Sequence, residues 1–512
     1  MSTSLTHRPQ VVWFKRDLRL ADHAALVSAC ERGPILPFYC VEPDYWALPD
    51  TSRRHWHFLS AALTDLGEDI QQHGGKLCIQ VGDICAALTA LLETLGPFDL
   101  HAHMETGNDW TFQRDKAVRA WCQTHGITFV EHAQFGVWRG SQANRDRWAK
   151  MWDRMMAEPV LPLPDDITWI EPGVDAPTQI LPTADDLGLP SSGEQWIQPA
   201  GRDEAWETLH SFLSERGEPY QRAMSSPIAG TQACSRLSTH LSVGTLSMRE
   251  TYQAALERQK EIASWTASQR GDWPKALKSF LARLHWHCHF IQKLESEPEL
   301  EYLPAARAYK DLRAGAFNQR RMDAFENGQT GYPFVDACMR SLRATGWINF
   351  RMRAMLMSFA SHDLWLPWQQ SGLVLARYFT DYEPGIHWPQ CQMQSGETGI
   401  NTVRVYSPVK QGYDQDPDGV FIKQWVPELA DLTGKDVHEP WRLTLMKPDY
   451  PDRIVDHAEA VARSKEAIFA IRKSKAAQAE ARAVYQKHGS RKRPASVRFK
   501  DHAKANDQAS LF

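Results

Sequence analysis

The sequence predicts an α/β domain followed by an all-α domain, and three observations carry that reading. At 512 residues the chain is longer than a single hydrophobic core usually serves, so two domains are expected. Residues 1–135 alternate short apolar runs with helical patterns, as a parallel, Rossmann-like sheet covered on both faces requires. From about residue 217 to 400 the apolar positions keep helical spacing and strand patterns hardly appear.

Taken in order, QVVWFKRDLRL (10–20) reads as a strand running into a charged loop, and ADHAALVSACERG as a helix closed by Gly33. PILPFYCV is the second strand, HFLSAALTDLGEDIQQHGG a helix, KLCIQVGD the third strand and ICAALTALLETLG a helix. FDLHAHM, RDKAVRAWCQTHG and ITFVEHA continue the alternation, and no glycine-rich phosphate loop is present. From Trp138 to about Gly217 periodicity fades and Pro becomes frequent, which predicts a long connector over 136–216. RDEAWETLHSFLSERG opens the helical half, set at 217–472, and 473–512 is predicted to be a flexible basic tail.

The stretch 331–412 organises the remainder. Phe334, Val335, Cys338, Met339 and Leu342 share one helical face, and Met352, Met355, Leu356 and Phe359 share the next, so two helices are predicted. Arg351, Arg353, Asp363, Asp381, Glu383 and His387 are interspersed with Trp347, Trp365, Trp368 and Trp388. Buried charges are costly unless paired, so Arg353 is expected to pair with Asp381 in a polar-edged, aromatic-walled pocket suited to a flat conjugated ligand.

Hydrophobic content of 43% with 23% charged residues is ordinary for a soluble globular protein, whereas twenty tryptophans are not. The net charge of −4 is unevenly spread: from Arg472 onward eleven Lys or Arg face three acids. A basic tail on an acidic body points to a polyanion partner. Nine scattered cysteines without a CxxC pair predict free thiols in a reducing compartment and argue against an iron–sulfur cluster. No apolar run reaches membrane length and residues 1–9 lack a signal core, so a cytoplasmic protein without membrane contact is expected.

The segments GYPFVDACMRSL, GWINFRMR, FTDYEP, SPVKQG, DPDGVFIKQWVPEL and HEPW, with the opening VVWFKRDLRLADHAAL, resemble the photolyase and cryptochrome family. The resemblance implies FAD in the helical domain and an N-terminal antenna domain, which in relatives holds a pterin, deazaflavin or flavin. Candidates to line the antenna site are Phe14, Lys15, Arg16, Asp17, Glu105, Asn108 and Asp109, although WFKRDLRL alone reads as a loop with interdomain salt bridges.

For FAD the resemblance implies Tyr220 and the run Cys234, Ser235, Arg236, Leu237, Ser238 at the pyrophosphate, with Cys234 replacing the usual Thr. Read without the family, SRLS is a helix cap. Phe280, Arg283, His287, Trp347, Arg353, Asp363, Asp381, Tyr382, Glu383 and His387 complete the implied FAD site. His387 falls beside flavin N5, where a titrating imidazole would make the redox state pH-sensitive. Trp286 is implied to stack on a lesion, with Arg351, Met393 and Gln411 on the DNA side.

The pattern also departs from the family. Arg283 stands where pyrimidine-dimer photolyases carry Glu, Phe350 and Ala354 replace contact residues, and Met393 replaces a second Trp. Of the reducing Trp chain Trp368 remains, while Cys391 and Phe325 occupy the other two positions; Trp365, Trp347 or Trp388 are candidate substitutes. Trp286, Trp368 and His387 are the implied catalytic residues. The implied activity is light-driven repair of pyrimidine dimers in single- or double-stranded UV-damaged DNA by a monomeric carbon–carbon lyase. The alternatives are a blue-light photoreceptor of cryptochrome type, and a flavoprotein that binds nucleic acid through its tail without a light-dependent task.

Overall fold

The computed structural model describes residues 8–140, 143–173, 176–191, 193–444 and 448–490. Five strands, β1 (Gln10–Trp13), β2 (Ile35–Val41), β3 (Cys78–Val81), β4 (Asp99–His103) and β5 (Thr128–His132), form one parallel sheet in the order β3-β2-β1-β4-β5. Val11 is in register with Leu36 on one side and Leu100 on the other.

Because side chains alternate along a strand, β1 feeds two cores. Val12 and Phe14 pack under Leu26 and Ala29 of the Ala24–Cys30 helix and under Trp56, Leu63 and Ile70 of Arg53–Gln72. Val11 and Trp13 pack under Leu88 and Leu91 of Ile84–Leu95 and Val118 and Cys122 of Asp109–His125. The strand order reverses at β1, so a crevice opens at the carboxyl ends of β1 and β4.

The connector is more structured than its proline content suggests. It contains the helix Arg145–Ala157, whose Trp148, Trp152 and Met156 recur every four residues and are buried in the helical domain's core. Further on, the Ile79 N–H donates to Thr178 Oγ1 and the Gln179 N–H to the Ile79 carbonyl, so the connector covers the free edge of β3.

Helices dominate from Arg202–Ser211 onward. The long helix Trp273–Ser296 lies against Pro384–Ser395, and Pro333–Thr345, Phe350–Ser358 and Trp368–Tyr378 complete the second core with Leu342, Met352, Leu356 and Trp368. The tail differs from the expectation of flexibility where it can be seen. Ser474 caps a helix, Lys475–His488, whose Ala477 and Val484 are buried and whose His488 meets Glu297 at 2.6 Å. Residues beyond 490, with most of the basic cluster, lie outside the described residues.

The two domains are joined by buried polar contacts. Arg16 pairs with Glu383 and donates to the Ser242 carbonyl at 2.7 Å. Arg54, fully buried, donates to the Leu342 and Arg343 carbonyls at a helix C-terminus, where a cation is favoured.

Candidate functional site

The site begins with a tight turn. Gly346 takes φ +71° to end Pro333–Thr345, which lets Phe350–Ser358 start four residues later and aim Arg353 inward. Arg353 donates through both terminal nitrogens to the two Asp381 oxygens, each at 2.9 Å, and through Nε to the Ile348 carbonyl at 2.8 Å. Burial pushes the Asp381 carboxyl up, but Arg353 outweighs it and holds the group below its ordinary range. The predicted pair is therefore present, bidentate and ionised.

Around this pair lies an excess of cations. Arg236 adopts φ +63°, places its guanidinium 4.1 Å from the Trp347 ring and 5.5 Å from Trp196, and is lowered to about 10 by burial, with Nε lacking a hydrogen-bond partner. Arg216 binds the Cys234 and Ser235 carbonyls. Arg236, Arg216, Arg283 and Arg353 all act electrostatically on Cys234. Ser238 opens the helix Ser238–Val243 without capping it, and its hydroxyl turns to Asp381 instead. Tyr220 is buried and bonded to Arg283, whose guanidinium also lies 5.7 Å from the Phe350 ring. Several converging guanidiniums with one carboxylate already spent on Arg353 form a receptor for a multiply charged anion such as a diphosphate.

The Asp381–Tyr382–Glu383 turn divides its side chains. Asp381 faces the cationic pocket, but the Tyr382 hydroxyl donates to Asp50 at 2.7 Å and Glu383 is taken by Arg16 while capping Pro384–Ser395 through the Gly385 N–H. Tyr382 and Glu383, expected in the cofactor site, thus spend their polar groups on the α/β domain. Phe280 packs against Phe212 at 4.8 Å, in the apolar cluster that also holds Tyr220, and Asp363 is bound by His457. The His287 ring lies 5.8 Å from Phe135.

His387 is buried, and its Nε2 lies 2.9 Å from the Gly372 carbonyl, so Nε2 carries the proton and Nδ1 keeps its lone pair. Burial lowers its pKa to about 4, and a neutral ring across the physiological range removes the expected pH sensitivity. Trp388 stands beside His387 at 4.9 Å and Trp368 at 6.0 Å, so an aromatic path runs from the site to Trp368 although Cys391 and Phe325 interrupt the expected one. Trp286, Arg351 and Met393 are partly exposed, whereas Gln411 is buried with Oε1 lacking a partner.

At the crevice, Phe14, Lys15, Arg16 and Glu105 line a cleft of about 820 Å³, counting its mouth, together with Tyr39, Tyr45, His55 and Tyr382. The other antenna candidates are engaged elsewhere. Asn108 caps Asp109–His125, the Asp109 N–H donates to Glu301, and Asp17 is fully buried between His103 Nδ1 (2.7 Å) and His23 Nε2 (3.0 Å). That trio has the composition of a metal site, but His23 Nδ1 accepts the Leu26 N–H, so Nε2 holds a proton and has no lone pair to give. The sequence offered no signal for His23 and His103, which only the fold brings to Asp17.

Two family models match the chain: the FAD binding domain of DNA photolyase over residues 280–470, and DNA photolyase over residues 10–147. A deoxyribodipyrimidine photo-lyase of Salmonella typhimurium is 28% identical over 496 residues, covering 90% of this chain and 99% of its own. A cryptochrome DASH of Gloeobacter violaceus is 26% identical over 498 residues, covering 90% and 95%. The structure of an archaeal photolyase from Sulfolobus tokodaii, described with two FAD molecules, superposes with a TM-score of 0.74 at 24% identity, covering 90% of this chain and all of that one.

Proposed function

The chain belongs to the DNA photolyase and cryptochrome family and carries its FAD-binding domain, and from that premise we propose that it is a light-driven DNA photolyase acting on UV-induced pyrimidine dimers. The observation that carries repair over sensing is Trp286, an aromatic face partly open to solvent on Trp273–Ser296, with Arg351 partly open to solvent as well. A base turned out of its stack is held by such a combination of aromatic and cationic groups.

The cationic pocket fits FAD on two counts: Arg236 Nε is buried without a partner, and the charge excess at Cys234–Ser238 matches a diphosphate. Arg236, Ser235, Tyr220 and Arg283 would hold the diphosphate, with Cys234 and Leu237 supplying backbone. Arg353, Asp381 and Trp347 would border the ring, toward which His387 would offer Nδ1 as an acceptor. When bound, FAD absorbs light and supplies the transferable electron. Trp286 and Met393 pack the flipped base, Arg351 and Gln411 face the strand, and the buried walls exclude water. The aromatic pair Trp388 and Trp368 connects the pocket with the protein interior.

The crevice cleft, lined by Tyr39, Tyr45 and Tyr382, is the seat of a second flat chromophore, a pterin, deazaflavin or flavin. The protein acts as a cytoplasmic monomer; among the described residues no helix is long and apolar enough to cross a membrane. A photoreceptor without repair is favoured by one observation, the Arg283–Phe350 contact at a wall where dimer photolyases carry a carboxylate. Illumination of the reduced protein with UV-damaged single- and double-stranded oligonucleotides decides between them. Restoration of intact pyrimidines supports the enzyme; reversible spectral change without repair of any lesion supports the receptor.

A further inference from the structure

Residues 195–198 of the connector lie against the cationic pocket, and the end of one helix fixes both of the rings that meet there. The Gln195 and Trp196 N–H groups donate to the Ala344 carbonyl, at 3.0 and 3.2 Å, in the last turn of Pro333–Thr345, where helix carbonyls lack intrahelical partners. Two residues further on, Gly346 turns the chain at φ +71° and delivers Trp347, whose N–H meets Thr345 Oγ1 at 3.4 Å. Between the two rings stands the Arg236 guanidinium, 4.1 Å from Trp347 and 5.5 Å from Trp196. Trp347 and Arg236 are half-buried and Trp196 is 45% exposed, so the stack runs from the pocket to the surface.

A second contact from the same stretch of connector holds the Arg236 backbone. Gln198, 8% exposed, donates through Nε2 to the Arg236 carbonyl at 2.9 Å and to His240 Nε2 at 3.1 Å, and its Oε1 faces an Arg236 terminal nitrogen at 3.5 Å. One amide thus meets both ends of the residue. Arg236 needs that support, because φ +63° is a left-handed conformation that a residue with a Cβ adopts at a cost and keeps only where its surroundings over-determine it. Ring faces and an uncharged amide hold the guanidinium in place without neutralising it, which leaves its charge for an anion in the pocket.

We propose that Trp196 and Gln198 are positioning residues for the cofactor: from the connector they clamp Arg236 over the diphosphate, and so set how slowly FAD leaves the pocket. This rests on the reading of the pocket as the FAD site. It gives the connector a task in cofactor retention beyond joining two domains, and it places that task on two side chains that carry no charge.

The test follows release of FAD in the dark from the full chain with FAD bound, measured as flavin passing a desalting membrane with time. W196A is expected to release it about two- to five-fold faster than the wild type, the effect of losing one partly exposed contact between a cation and a ring. W196F keeps a ring face and is expected to stay close to the wild-type rate. Q198L leaves the Arg236 carbonyl without its donor and is expected to release FAD faster as well. In an R236A background W196A is expected to add nothing, because the ring acts through that guanidinium. The urea midpoint of the apoprotein, expected to be equal for W196A and the wild type, separates retention from folding. Equal release from W196A and the wild type overturns the clamp. So does an acceleration by W196A that persists in R236A, since the ring then acts on its own, or one matched by a fallen urea midpoint. Each of these results leaves the cofactor site standing, whereas a wild type that holds no FAD removes both.

Discussion

Arg353 and Asp381 illustrate how much a single pair carries. Asp381 is 8% exposed, so removing its partner in R353A leaves a buried carboxylate uncompensated, at a cost of about 3 kcal/mol. Urea denaturation of the apoprotein checks this, and a loss below about 1 kcal/mol would show that the pair is not needed for the fold. The sequence revealed the pair because two opposite charges in apolar surroundings have few other ways to be buried. It did not reveal that Tyr382 and Glu383 serve Asp50 and Arg16, because those partners lie more than 300 residues away and only docking of the domains brings them together. His387 was legible as a site residue but not in its protonation state, which depends on burial and on the Gly372 carbonyl. With a pKa near 4 it stays neutral, so the flavin spectrum and the rate of photoreduction are expected to be constant between pH 6 and 8; a midpoint near 6.5 that H387N abolishes would refute that assignment.

Among the elements, the α/β domain was readable because its central strands are short runs buried throughout, as in β1 and β2, whereas Arg53–Gln72 keeps a period of 3.6. The Arg145–Ala157 helix was hidden by its proline-rich surroundings, although Trp148, Trp152 and Met156 held the signal. W152A, at a ring 1% exposed, is expected to cost about 4 kcal/mol, read as a fall in the denaturation midpoint of the helical domain. Domain docking depends on a backbone approach that no pattern encodes. Gly244 takes φ +77°, and a Cβ there would stand 2.3 Å from the Arg16 carbonyl and 2.5 Å from Asp17 Cα. G244A is therefore expected to loosen the interface, with faster proteolysis in the 136–216 connector while each domain's helical content is kept. An unchanged cleavage rate would mean that the interface tolerates the shift.

Across the whole molecule, buried imidazoles set the acid limit. Burial lowers His55, His101, His240, His287 and His387 to about 4, and His103 and His362 to about 3, against an ordinary value of 6.5. Between those values the unfolded chain binds more protons than the folded one, so stability falls as pH falls from 6.5 toward 4. Glu42, Glu301 and Glu397, raised to about 7 by burial, and Asp336, raised to about 6, act in the opposite sense over the same window. Burial also lowers His132, His289 and His488 and raises Asp65, Asp69, Asp363, Glu383 and Asp416, so ten imidazoles stand against nine carboxyls among the described residues. The urea midpoint at pH 5 is expected to lie below that at pH 7.5; an equal or higher midpoint would reverse the balance. The account as a whole depends on the helical domain gripping FAD through Arg236 and the Arg353–Asp381 pair. Its most direct test is the FAD released by heat per chain from the wild type and from an Arg236→Ala, Arg353→Ala double variant. About one FAD per wild-type chain and a several-fold loss in the variant is the predicted result; equal occupancy in a folded variant would contradict it.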